Sequence, residues 1–159
     1  MSASDHHYPL QSGSPRRYAV ALTALSTLFA LRVLGQALQR WAPTPALPPF
    51  EAFQGSSPPY GILLPVQLAL LAILLVIAGR IASGKPAPRM RTGRVLLCVG
   101  GIYMAGSLAR ISIGLTVANA PHWFSSWIPA LFHVVLAAYI LVLAHYHYFG
   151  VAASADRRS

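Results

Sequence analysis

The sequence is nearly without acid. Asp5, Glu51 and Asp156 are its only carboxylates, against twelve Lys and Arg in 159 residues, and the formal net charge is +9. Charged residues make up 9% of the chain, where soluble domains carry roughly 25%. Too few charges remain to solvate a surface of this size, which excludes a soluble globular domain. Disorder is excluded because 55% of the residues are hydrophobic. The basic excess does not point to nucleic acid, since a nucleic-acid-binding surface is not this apolar. Cysteine is nearly absent as well. With Cys98 alone, neither an internal disulfide nor a dithiol relay to a quinone can form.

What is present is apolar length. Four runs, at about 18–39, 60–79, 95–117 and 124–148, each hold 20 or more residues. A helix rising 1.5 Å per residue needs about 20 of them to cross a 30 Å hydrocarbon core. None alternates with period two, which argues against a membrane β-barrel. The expected fold is an all-α integral membrane four-helix bundle, with no internal repeat. Residues 1–15 and 151–159 read as tails, the first of them disordered. Residues 42–59 carry Pro43, Pro45, Pro48, Pro49, Pro58 and Pro59, which cannot continue a helix. Gly84, Pro86, Pro88 and Gly93 break the second connection, and Asn119 to Pro121 the third.

Charge position sets the expected topology. Arg16, Arg17, Arg80, Lys85, Arg89, Arg91, Arg94, Arg157 and Arg158 fall on one side of the four spans, and Arg40 alone on the other. By the positive-inside rule both termini are cytoplasmic and the Pro-rich loop faces outward. Trp41, Tyr60, Trp123 and Trp127 then mark the outer interface, and Tyr18, Tyr146 and Tyr148 the inner one. Arg-rich, Ala-, Gly- and Pro-rich usage suggests a bacterial cytoplasmic (inner) membrane. A cleaved signal peptide competes as a reading of the first run, because Arg16-Arg17 stands before it. That run has full span length, however, and carries Arg32 near its end. The basic loop residues Arg80, Lys85, Arg89, Arg91 and Arg94 are expected to meet anionic lipid headgroups.

The residues that carry functional information are the polar ones inside the spans: Arg32, Gln36, Gln67, Arg110 and His133. Counting along the helices puts Arg32 about 22 Å and Arg110 about 24 Å from the cytoplasmic edge, with Gln67 about 10 Å below Tyr60 and His133 about 13 Å below Phe124. All fall toward the outer leaflet. A charge at mid-bilayer costs roughly 2.5–3.5 kcal/mol on insertion scales. No span offers a carboxylate, and Glu51 is the one acid on the outer side. The Pro-rich loop is therefore expected to fold down as a lid, Glu51 pairing one arginine and an anionic ligand or lipid taking the other. Snorkelling to the outer surface and interhelical packing are the structural alternatives. Small residues beside Arg110 and His133 point both inward, which leaves Phe132, Leu136, Tyr139 and Leu143 for lipid. His145 and His147 lie two apart, about 200° round a helix, which is poor geometry for one metal.

The sequence lacks paired carboxylates, a nucleophile beside a base, and a metal-ligand cluster. No cofactor and no metal are expected. The leading expectation is a non-catalytic subunit or scaffold in a membrane complex, with a protein partner or a second copy within the bilayer and an outer-leaflet polar site able to hold an anionic lipid or ligand. The alternatives are a binding or transport protein for an anionic or amphipathic small molecule, and a lipid- or quinone-directed enzyme using His133 as acid or base.

Overall fold

The computed structural model describes residues 15–54, 58–117 and 127–156, with side chains as far as residue 150. Trp123, residues 1–14 and 157–159 and the 118–123 connection lie outside the described residues, and residues 151–156, expected as a tail, continue the last helix. The elements are α1 (Pro15–Trp41), α2 (Phe50–Gln54), α3 (Tyr60–Ala82), α4 (Met90–Thr116) and α5 (Trp127–Asp156). Among the described residues there is no strand. The helices α1, α3 and α4 and the 127–150 stretch of α5 are each long and apolar enough to cross a membrane. The chain is a multi-pass helical membrane protein.

The helices run past the apolar spans because apolar length measures the hydrocarbon core, not the helix. Thus α4 starts at Met90, directly after Pro86 and Pro88 stop constraining the backbone, and takes in Arg91 and Arg94 before the apolar run begins. Pro15 opens α1, where its missing N–H loses nothing. The turn after α3 is a Schellman motif. Gly84 adopts φ +65°, its N–H bonds the Ile81 carbonyl at 3.0 Å, and the Lys85 N–H bonds the Arg80 carbonyl at 3.2 Å.

Packing runs in the order α3, α1, α5, α4, with α2 laid across α1 and α5. Along α1 the buried positions Ala19, Leu22, Ser26, Phe29, Val33 and Gln36 alternate spacings of three and four, the seam of coiled-coil packing. Ala19, Leu22, Phe29 and Val33 of this seam join Leu74, Ala78 and Ile81 of α3 and Tyr139 and Tyr146 of α5 in one apolar core. The Tyr139 hydroxyl, 2% exposed as a residue, donates across that core to the Leu74 carbonyl at 2.7 Å.

The outward face expected for the last helix is corrected here. Phe132, Leu136, Tyr139 and Leu143 belong to the core or pack on it. The opposite side of α5 is covered too, by α4, and so α5 is a central helix. Two glycines set the α4–α5 approach. A Cβ on Gly93 would lie 2.8 Å from the Tyr148 backbone nitrogen, and one on Gly100 would lie 2.9 Å from Leu141 Cδ2. Gly101 has open space beside it, so of the Gly100-Gly101 pair only the first serves this crossing.

Candidate functional site

One end of the molecule, where α1 finishes and α3 starts, is covered by residues 42–54. Gln39 organises this cover. Its amide nitrogen donates to the carbonyls of Thr44, Leu47 and Pro48 at 3.0, 2.9 and 2.8 Å, and its amide oxygen accepts the Thr44 N–H at 2.8 Å. Prolines have no N–H to form a ladder with, so a side chain satisfies this backbone instead. The short helix α2 follows and packs on α1 and α5. Around its mouth Tyr60 packs edge-on against Trp41 and Phe50, with ring centroids 5.7 and 5.2 Å apart.

Arg32 lies beneath this lid, nine residues or about 14 Å from Trp41 along α1. It is 8% exposed. Its Nη2 donates to the Phe53 carbonyl at 2.8 Å, and its guanidinium carbon stands 5.9 Å from the centre of the Phe132 ring. A hydrogen bond from a charged donor contributes about 1.5–3 kcal/mol, and a cation over a desolvated ring about 2 kcal/mol. Together these offset the roughly 2.5–3.5 kcal/mol of placing the charge in the membrane. Glu51, the acid expected to pair one of the two arginines, is exposed on α2. The lid reaches Arg32 through a backbone carbonyl, and no carboxylate is in contact with it among the described residues.

One turn further along α1, Gln36 is fully buried, and the Gln67 amide nitrogen donates to its oxygen at 3.3 Å. Four side-chain atoms of this cluster are buried without a hydrogen-bond partner among the described residues: Arg32 Nε, Gln36 Nε2, Gln67 Oε1 and the Tyr60 hydroxyl. Each such atom carries a desolvation penalty of about 1–3 kcal/mol. The cluster thus gathers two unused N–H donors, one hydroxyl and one carbonyl around a buried positive charge.

Arg110 and His133 form a second locality, on α4 and the α4-facing side of α5. The His133 ring meets Tyr103 edge-on at 5.9 Å, and its Nδ1 bonds the Pro129 carbonyl one turn back. A carbonyl only accepts, so Nδ1 carries the proton there, and a neutral ring presents Nε2 as an acceptor. Arg110 is half-buried, two turns beyond Tyr103 on the same helix. Phe132 and His133, neighbours on α5, therefore face different groups, Phe132 toward Arg32 and His133 toward Tyr103.

At the other end of the molecule stand Arg80, Lys85, Arg89, Arg91 and Arg94, all exposed. The two histidines there diverge. His145 Nδ1 pairs with the Tyr18 hydroxyl at 2.7 Å, and His147 Nδ1 accepts the Arg89 N–H at 3.3 Å. Among the described residues no group of three or more metal-ligating side chains converges.

Sequence reasoning singled out Arg32, Gln36 and Gln67 and missed Gln39, Phe53, Tyr60 and Phe132 as their neighbours. Gln39 had a signal. With Arg32 and Gln36 it completes a polar stripe at spacings of four and three. Comparison with protein families, curated proteins and solved structures returned no match to this chain.

Proposed function

We propose that this chain is a non-catalytic membrane protein that holds the anionic or strongly accepting head of an amphipathic molecule in the polar cluster beneath its lid. The observation that carries the reading is the set of four polar atoms around Arg32 that lack a partner among the described residues, with no carboxylate of those residues beside it. Native cores rarely bury several such atoms together, and replacing them by apolar side chains would relieve the penalty. A phosphate or carboxylate oxygen accepts from Arg32 Nε and Gln36 Nε2 while the Tyr60 hydroxyl donates to it. Arg suits such heads because its planar fork gives two parallel hydrogen bonds. The positive-inside reading places both termini and the basic end in the cytoplasm and the lid outside, so the ligand enters from the outer leaflet as α2 lifts.

The test is thermal unfolding of the purified chain in maltoside with dodecyl phosphate, dodecanoate or dodecanol. The two anions stabilise the wild type, the alcohol does not, and Arg32→Leu removes the difference. Equal response to all three ligands contradicts the reading.

A second observation favours a role as a subunit. The helix α4 is covered chiefly by α5, and Gly101 and Gly106 have nothing within 4 Å of where a Cβ would stand. Exposed small residues in a span permit close approach of another helix. Replacing both with Leu leaves the fold intact and disperses any complex recovered in mild detergent.

A further inference from the structure

The basic end holds a second built site, independent of the lid. A cavity of about 320 Å³ opens between the last turn of α3 and α5, lined by Ile77, Arg80, Ile81, Lys85, Leu143 and His147. Its walls are fixed by hydrogen bonds on both sides. On one side the Schellman turn at Gly84 ties the Lys85 N–H to the Arg80 carbonyl, so both cations share one rim. On the other, the Tyr146 hydroxyl donates to the Pro86 carbonyl at 2.7 Å, and the Arg89 N–H donates to His147 Nδ1 at 3.3 Å, binding residues 86–89 to α5. That bond also sets the chemistry of His147. With Nδ1 accepting, the neutral ring keeps its proton on Nε2 and lines the cavity as a donor. Glu51, the sole acid among the described side chains, is at the opposite end of the molecule.

We propose that this cavity binds the phosphate of an anionic glycerophospholipid, with Arg80 and Lys85 holding the phosphate and one acyl chain lying on Ile77 and Leu143. The division of the lining carries the assignment. Its cations are at the helix end, where headgroups lie, and its aliphatic residues are inside the spans, where chains lie. Basic pockets between spanning helices select anionic headgroups in this way. Free phosphate would use the rim and leave the apolar floor wet.

The experiment is native mass spectrometry of the full chain released from nanodiscs of phosphatidylcholine doped with phosphatidylglycerol, with inorganic phosphate as a separate arm. One phosphatidylglycerol is retained by the wild type. Arg80→Gln and Lys85→Gln each lower apparent affinity about fivefold, the equivalent of the ~1 kcal/mol that a basic residue contributes near the surface. Arg91→Gln with Arg94→Gln, two exposed cations of α4 away from the cavity, leaves retention unchanged. Ile77→Trp fills the floor at constant charge and abolishes retention. Equal losses in the α4 variant would reduce the effect to diffuse surface charge, and displacement of the lipid by inorganic phosphate at millimolar concentration would show a phosphate site without a lipid. Either outcome overturns the proposal.

Discussion

The Arg32 guanidinium donates to the Phe53 carbonyl at 2.8 Å, across twenty-one residues of sequence, and so a buried charge in a spanning helix is the latch of the lid. The bond joins two features that are each unfavourable alone. The arginine loses hydration in the membrane, and the five-residue helix α2 is too short to be stable in isolation.

Arg32→Met therefore loosens the lid before it unfolds the protein. A charged hydrogen bond of about 1.5–3 kcal/mol corresponds to roughly 10- to 150-fold in the local opening equilibrium. Hydrogen exchange at residues 50–54 is expected to rise within that range, with exchange in the core of α1 and α5 unchanged.

Gln39 supports the same lid from the loop side. Gln39→Leu strips partners from three carbonyls and one N–H at once. The amide shares two protons among the three carbonyls and accepts one more, so at about 1 kcal/mol for each proton local stability of residues 42–49 falls by roughly 3 kcal/mol. Limited proteolysis after reconstitution reads this as cleavage within 42–49, absent in the wild type.

The glycines of α4 separate into two kinds. Gly93→Ala brings a methyl to 2.8 Å from the Tyr148 backbone, which cannot yield as a side-chain tip does, and a loss of about 1–3 kcal/mol is expected from overpacking. Gly101→Ala meets nothing within 4 Å and gains helix propensity of up to about 1 kcal/mol. The two variants, eight residues apart on one helix, thus shift thermal unfolding in opposite directions.

Much of the architecture was legible because a bilayer imposes length. The apolar runs marked where helices cross, and counting 1.5 Å per residue put Arg32, Gln67, Arg110 and His133 toward one leaflet; the structure joins Gln67 to Gln36, one turn from Arg32. The facing of α5 was not legible. Its residues are apolar nearly all round, so no polarity contrast separates the Phe132–Leu143 face, which meets α1 and α3, from a lipid face. The latch was hidden for another reason. A backbone carbonyl is common to every residue, so nothing in the sequence distinguishes Phe53 as the partner of Arg32, and the search for a counter-charge led to Glu51 instead.

The central claim is that the cluster under the lid is kept for a ligand at the expense of stability. Its most direct test is the unfolding temperature of the double variant Gln36→Leu, Gln67→Leu, measured with and without dodecyl phosphate. Replacing both amides removes two orphaned atoms and one long hydrogen bond, so the variant is predicted to unfold at a higher temperature than the wild type when ligand-free. It is also predicted to have lost the stabilisation by dodecyl phosphate. A variant that unfolds at a lower temperature yet still responds to dodecyl phosphate as the wild type does would contradict the account, marking the two glutamines as packing partners and nothing more.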